Sequence, residues 1–100
     1  MIIVAGTLTI DPAKRELAME AAIKNMTATR EEEGCLDYVM TPDPIDEATI
    51  VIFERWTDGA AIAAHFGSPH MAEFQAAMGD FGITDMALHK YDDVEPGPLF

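Results

Sequence analysis

This sequence is poor in basic residues and in cysteine. Only 6 of its 100 residues are lysine or arginine, against 18 aspartates and glutamates, and the formal net charge is −12. Such a charge repels phosphate backbones and anionic lipid, so we expect neither nucleic acid nor a membrane among its partners. The single cysteine, Cys35, excludes an internal disulfide and suits a reducing compartment, so we expect a cytoplasmic protein.

Long apolar runs, metal-ligand spacings and phosphate loops are also missing. The apolar stretch at residues 1–10 is too short to cross a bilayer and has no basic segment before it. The three histidines and the cysteine show no H-x-x-x-H or C-x-x-C spacing, so no metal site is expected. The sequence also has no glycine-rich phosphate loop and no G-x-S-x-G nucleophile motif.

What the chain does contain is apolar surface. Its length predicts one domain, residues 1–100, and 49% of the residues are hydrophobic. A domain of this size has a thin core. Part of the apolar surface therefore suits burial against a second subunit, and a well-filled core is the alternative.

Alternating and helical patterns follow one another in the order β-α-β-β-α-β, which is typical of the ferredoxin-like α+β fold with an antiparallel sheet. Strands are predicted at 2–10, 35–41, 49–56 and 83–91, and helices at 12–33, 60–66 and 69–78. The third strand is apolar on both faces, which predicts an interior strand. The tail, residues 92–100, is either loose or laid across a neighbouring subunit.

Helical spacing predicts a buried stripe in the first helix, formed by Met19, Ala22, Ile23 and Met26. Three glutamates, residues 31–33, close this helix against its own dipole, and we interpret them as a solvated end rather than as a cation or partner site. In the strand that follows, Leu36, Tyr38 and Met40 are predicted to share one face.

Glycine and capping residues mark the element ends. Gly6 permits the close approach of another backbone or of a ligand to the first strand. Asp58 and Ser68 are predicted N-caps of two short helices, and Pro69 follows at the first helical position. Gly67 suits the left-handed residue that ends a helix.

These caps place two histidines at one strand-to-helix corner. His65 falls at the end of one short helix, where it is either a proton acceptor or donor for a substrate oxygen or a structural residue favoured by the helix dipole. His70 falls in the first turn of the next helix and is either a second acceptor or a local cap. Both are candidate catalytic residues.

Aromatic and methionine side chains near this corner suit a planar substrate. Trp56 is either a core residue or a stacking surface, and Phe74 is a second aromatic wall. Tyr38 either packs or forms a hydrogen bond with a substrate oxygen. Met78 belongs to a set of methionines that would form a soft cavity wall.

Glu54 shares a strand face with Trp56, so its carboxylate needs a partner or a raised pKa. It either orients a histidine or pairs with Arg30 or with Arg55 of a second subunit. We include it among the substrate-binding candidates. Cys35 and His89 are interpreted as structural residues.

Three segments together carry a family resemblance: E-E-G-C-x-x-Y (Glu32 to Tyr38), F-E-R-W (Phe53 to Trp56) and A-H-F-G-S-P-H-M (Ala64 to Met71). They are similar to the antibiotic biosynthesis monooxygenase family, in particular to small bacterial quinol monooxygenases. The resemblance spans nearly the whole chain. It implies a homodimeric α/β barrel in which two four-stranded sheets pack face to face, and oxygenation of phenolic or hydroquinone substrates by O₂ without flavin, haem or metal.

Haem-degrading members of this family use an asparagine on the first strand, a tryptophan on the second helix and a histidine further along it. Thr7, His65 and Met78 stand near those positions here, so haem cleavage is not expected. The leading hypothesis is a cofactor-independent monooxygenase acting on a small aromatic substrate and O₂. The alternatives are an isomerase of a small carbonyl compound, with a proton shuttled between histidine and glutamate, and a non-catalytic module that binds hydrophobic metabolites.

Overall fold

The elements follow one another in the predicted order. The computed structural model describes all of residues 1–100. Its elements are β1 (Ile2–Thr9), a short 3₁₀ helix (Pro12–Lys14), α1 (Arg15–Thr29), β2 (Cys35–Pro42), β3 (Thr49–Trp56), α2 (Gly59–Phe66), α3 (Pro69–Met78) and β4 (Asp85–Tyr91). The ferredoxin-like α+β fold is confirmed.

The four strands form one antiparallel sheet in the order β2-β3-β1-β4, so the predicted interior position of β3 is confirmed. Residues directly opposite one another on neighbouring strands share a face of the sheet. One such row on the inner face consists of Tyr38, Glu54, Val4 and Lys90. This row later forms part of the candidate site.

The inner face of the sheet carries the core, and the helices cover it. Fourteen buried hydrophobic residues form one cluster: Ile2, Leu8, Ile10, Ala18, Ala22, Met26, Tyr38, Met40, Ile50, Ile52, Trp56, Met71, Phe74 and Phe81. The outer face has no helix on it and leaves Val39 and Phe53 more than one third exposed. No helix has the length and apolar character that a membrane crossing requires.

The predicted stripe of α1 is wrong in part. Ala22 and Met26 are buried, but Ile23 is 56% exposed. The buried side continues instead through Asn25, whose Nδ2 donates to the hydroxyl of Tyr38 at 3.0 Å, because α1 packs against β2 through small and polar residues. The helix also ends at Thr29 rather than at residue 33.

The predicted N-caps of the two short helices, α2 and α3, are both confirmed. Asp58 accepts from the backbone N–H of Ala61 at 2.9 Å, and Ser68 accepts from that of Met71 at 3.3 Å. The predicted left-handed conformation of Gly67 is wrong, since its φ is −91°. Its N–H donates back to the last turn of α2, and α3 begins two residues later, at Pro69.

Two strand predictions also need correction. A bulge between Cys35 and Asp37 breaks the alternation of β2, so Leu36 is 44% exposed while Tyr38 is buried. The last strand begins at Asp85, two residues later than predicted. In the tail, Val94 exchanges two backbone hydrogen bonds with Met1, and residues 95–100 are exposed.

Candidate active site

A cavity of about 390 Å³ lies between the inner face of the sheet and the helices α2 and α3. This volume suits a small organic molecule. The sheet contributes Val4, Leu8, Met40, Ile52, Met86 and Leu88, and the helices contribute Ile62, Phe66, Met71, Phe74 and Met78. The wall is therefore mainly apolar, and four of its side chains are methionines, which adapt to ligands of different shape.

Three polar side chains on this wall come from different elements and lie close together. Tyr38 and Glu54 are neighbours across β2 and β3, and the ring of His65 in α2 lies 5.2 Å from that of Tyr38 between centroids. Gln75, His89 and Lys90 also line the cavity. An apolar pocket with a few convergent polar groups is typical of a binding or catalytic site.

His65 presents one ring nitrogen to the cavity. The residue is 1% exposed, and its Nδ1 lies 2.7 Å from Oε2 of Glu32. Its Nε2 has no hydrogen-bond partner in the chain. Every side-chain nitrogen that is fully buried does have such a partner, so Nε2 is not fully buried. The Nε2 atom is therefore accessible from the cavity that His65 lines.

Glu32 is a site residue that sequence reasoning missed. It was predicted to be solvated with Glu31 and Glu33, and those two are exposed, but the Glu32 side chain is only 16% exposed and contacts both His65 and His70. The unfavourable position of the charge near the end of α1 was the same for all three glutamates, so no local signal distinguished Glu32 from Glu31 and Glu33.

His70 lies outside the cavity. Its Nε2 is 2.9 Å from Oε2 of Glu32 and 3.2 Å from Oγ of Ser68. It lines a separate pocket of about 60 Å³ between α1 and α3. The two candidate histidines thus meet at one carboxylate, but only His65 reaches the larger cavity.

Trp56 also lies away from the cavity wall and, of the two roles considered for it, occupies the position of a core residue. The residue is fully buried, and its ring packs 4.9 Å from that of His65 between centroids. Its Nε1 donates to Oε1 of Glu54 at 2.9 Å. The indole therefore packs against His65 and donates a hydrogen bond to Glu54 without lining the cavity, because the rest of the core covers its position on β3.

Burial raises the pKa of Glu54, while the hydrogen bond from Trp56 and the proximity of His65 partly oppose this rise. Arg30 does not neutralise this carboxylate, since its Nε donates to the backbone oxygen of Tyr38 at 3.0 Å. Within the chain, Arg55 pairs with Asp37 on the other face of the sheet. Glu54 is thus a carboxyl group with an elevated proton affinity on the cavity wall.

Tyr38 stays a neutral phenol, because burial, and then the charge of Glu54, raise its pKa. Its hydroxyl accepts from Asn25, which leaves its own proton for an acceptor. Phe74 is 5% exposed and contributes an aromatic wall held edge-on against Phe81. Burial also raises the pKa of the Cys35 thiol, which keeps it protonated.

The ligand atoms of Glu32, His65 and His70 lie within 4.8 Å of one another, as the ligands of a metal ion would. Their N–O separations of 2.7 and 2.9 Å are those of hydrogen bonds. Tetrahedral zinc holds such ligand atoms about 3.3 Å apart, given bonds of roughly 2.0 Å. The carboxylate oxygen itself occupies the point on which both ring nitrogens converge, so the three residues form a hydrogen-bonded cluster.

Related sequences point to one family. Residues 1–77 match the family model described as antibiotic biosynthesis monooxygenase. The protein named "Putative monooxygenase Rv0793" of Mycobacterium tuberculosis is 36% identical over 72 residues, which are 71% of this chain and 70% of that protein. An uncharacterized protein of Synechocystis is 32% identical over 73% of this chain, and the matched region spans half (50%) of its length.

Solved structures agree with this assignment. The structure of Rv0793 has a TM-score of 0.84 at 26% identity, with 97% of this chain and 98% of that chain covered. A crystal structure from Deinococcus radiodurans, described as a "putative antibiotic biosynthesis monooxygenase", has a TM-score of 0.89 at 25% identity and covers 100% of this chain and 99% of that one. The chain belongs to the antibiotic biosynthesis monooxygenase family.

Proposed function

We propose that this chain is a monooxygenase that uses O₂ to oxidise a hydroquinone or a polycyclic phenol to a quinone, without a cofactor. The observation that carries the proposal is the mainly apolar cavity of about 390 Å³ lined by His65, whose Nε2 has no hydrogen-bond partner in the chain. A flat aromatic ring matches the apolar wall, and a phenol proton matches the accessible ring nitrogen.

The reaction starts when His65 Nε2 accepts the proton of a substrate hydroxyl. The resulting phenolate transfers one electron to O₂, and the semiquinone and superoxide then combine by forming a C–O bond. Loss of water from this peroxide breaks the O–O bond and leaves one oxygen atom on the ring. A hydroquinone and O₂ thus give a hydroxyquinone and water, and the substrate supplies all the electrons.

The remaining wall residues bind and orient the ring in this proposal. Phe74 packs against the aromatic face, Tyr38 donates a hydrogen bond to a substrate oxygen, and Glu54 lies beside the reacting hydroxyl. Met78 belongs to the four methionines that let the wall adapt to different substrates. The apolar surroundings exclude water while the peroxide breaks down.

We also propose that the chain acts as a homodimer. The uncovered face of the sheet presents Val39 and Phe53, which are 37% and 38% exposed and lie opposite each other on neighbouring strands. Packing this face on that of a second copy would bury both and form the barrel. The C-terminal tail is exposed, including the apolar residues Leu99 and Phe100, and would contact the neighbouring subunit.

Oxygen uptake with menadiol tests the catalytic proposal. We expect uptake above the spontaneous rate and no change with a chelator. His65→Gln is expected to lower kcat by roughly 100-fold, because general base catalysis contributes about that factor or more. His70→Gln, which alters an imidazole outside the cavity, is the matched comparison and should have a smaller effect. A wild-type rate equal to the spontaneous rate contradicts the proposal.

An isomerase is the second candidate, and one observation favours it. His65 and Glu54 line the same cavity, and the raised pKa of Glu54 suits a group that takes up and returns a proton. An isomerase converts a small carbonyl compound in the absence of oxygen, whereas the monooxygenase does not. Assays in anaerobic buffer therefore separate the two functions.

A further inference from the structure

Glu32 lies outside the cavity but contacts the imidazole that opens into it. Its Oε2 is 2.7 Å from His65 Nδ1, and Glu32 is not among the residues that line the cavity. The neighbouring glutamates, Glu31 and Glu33, are exposed. One of three consecutive carboxylates is thus directed inward.

An ionised carboxylate accepts hydrogen bonds and donates none, so Nδ1 of His65 must carry a proton. The lone pair of the neutral ring then lies on Nε2, the atom that is accessible from the cavity. We propose that Glu32 is a positioning residue that fixes His65 as the Nδ1–H tautomer and so makes Nε2 the proton acceptor. The role of that acceptor in oxygenation rests on the proposed function, but the tautomer itself does not.

Packing alone cannot select this tautomer. Trp56 and Tyr38 hold the His65 ring at centroid distances of 4.9 and 5.2 Å, but both neutral tautomers have the same shape. In the Nε2–H form, two acceptors would face each other across 2.7 Å, the Nδ1 lone pair and the carboxylate oxygen. A hydrogen bond from Nδ1 to Glu32 therefore decides that Nε2, rather than Nδ1, carries the free lone pair.

His70 contacts the same carboxylate of Glu32. Its Nε2 lies 2.9 Å from the same Oε2 atom, and Ser68 Oγ is 3.2 Å from that nitrogen. Ser68 in turn donates to the backbone oxygen of His65 at 2.6 Å. These contacts of His70 and Ser68 thus hold Glu32 next to the end of α2. The proton acceptor is then His65, and His70 has a positioning role.

Other titratable groups around the His65 ring do not replace Glu32. Glu54, from β3, accepts from Trp56, and Tyr38, from β2, contacts Asn25 through its hydroxyl. Cys35, also in β2, makes no hydrogen bond with the ring through its thiol. Only Glu32 reaches Nδ1.

The test is a two-bond proton–nitrogen correlation spectrum of the histidine rings, which distinguishes the tautomers without turnover. The wild-type His65 signals, assigned by their loss in His65→Gln, are expected to show the Nδ1–H form. Glu32→Met removes the acceptor at similar length and should give mixed tautomers, whereas Glu32→Gln keeps a neutral acceptor and should preserve the Nδ1–H form. Glu31→Met and Glu33→Met are matched controls and should leave the spectrum unchanged.

Activity supplies the second readout. In menadiol oxidation, Glu32→Met is expected to lower kcat by about 100-fold, the usual contribution of a correctly placed base, with KM changed less than about twofold. Glu32→Gln should recover part of the rate. A wild-type His65 in the Nε2–H or doubly protonated form overturns the proposal, even if every variant of Glu32 fails to fold. An inactive wild type with the Nδ1–H form refutes the proposed function but not the role of Glu32.

Discussion

At the scale of single residues, Glu54 shows how burial affects a carboxyl group in this protein. It is 9% exposed and its pKa is raised, first by burial. The folded state therefore holds this proton more tightly than the unfolded state does. The associated stability is present below the ordinary carboxyl pKa and is lost as the pH rises through the raised pKa of the folded state.

Glu54→Gln removes this pH dependence while it keeps an acceptor for Trp56 Nε1. We expect the variant to unfold at a higher temperature than the wild type in neutral buffer, and the difference to vanish as the pH falls below the ordinary carboxyl range. Circular dichroism melting curves across that range measure it. Glu20→Gln, on the exposed side of α1, removes the same charge and should show no such difference. A lower melting temperature for Glu54→Gln in neutral buffer would contradict the prediction.

Residue types and local spacing identified part of the candidate site. His65 could be placed at a helix end near β3 because the caps at Asp58 and Ser68 are local signals. The contact from Glu32 could not be predicted, since it joins residues 33 positions apart across two strands, and α1 was expected to continue to residue 33 instead of ending at Thr29. The same limit applies to Trp56, whose strand face was evident but whose separation from the cavity depends on where the α2 helix sits.

At the scale of elements, the pairing of β1 with β4 depends on Gly6. Its φ is +154°, and a Cβ atom at this position would lie 1.8 Å from the backbone oxygen of Ala87. The predicted close approach of another backbone is therefore confirmed. Sequence pattern could suggest that approach from the glycine, but not that the approaching strand is the last one in the chain.

Gly6→Ala is expected to destabilise the fold by on the order of 3 kcal/mol or more, because a backbone oxygen cannot move aside as a flexible side chain does. Chemical denaturation, followed by the fluorescence of the buried Trp56, measures the change. Gly97→Ala is the matched control, since nothing lies within 4 Å of its added methyl group. Equal stability of Gly6→Ala and wild type would show that β4 is free to shift.

Helix faces were harder to predict than the N-caps at which helices begin. The stripe of α1 assumed that Ile23 is buried because it is apolar, but the helix turns Asn25 and Thr29 inward instead. These two polar residues form a chain of hydrogen bonds with Tyr38, at 3.4 Å between Thr29 and Asn25 and 3.0 Å between Asn25 and Tyr38. A buried polar contact of this kind reverses the face that hydrophobicity alone would choose.

At the scale of the whole molecule, the chain is a slab of one sheet and one helical layer. Its extents are 39 × 35 × 19 Å, and it exposes 6178 Å². A compact monomer of 10.9 kDa exposes about 5,600 Å². The excess, together with the apolar outer face of the sheet, fits a subunit that buries roughly 800 Å² against a partner, the usual area for each side of a stable interface.

Phe53→Glu tests the homodimer, because it places a charge at the centre of the outer sheet face. We expect wild-type protein to have twice the mass of the chain by light scattering at micromolar concentration, and the variant to have the mass of one chain. Ile23→Glu is the matched control: Ile23 is also an exposed apolar residue, at 56%, but lies on α1 on the other side of the sheet. That variant should remain dimeric. Because the cavity lies on the inner face, the activity of Phe53→Glu also shows whether one subunit is sufficient for oxidation. A monomeric wild type would contradict the proposed homodimer, and the cavity of one chain would then be the complete site.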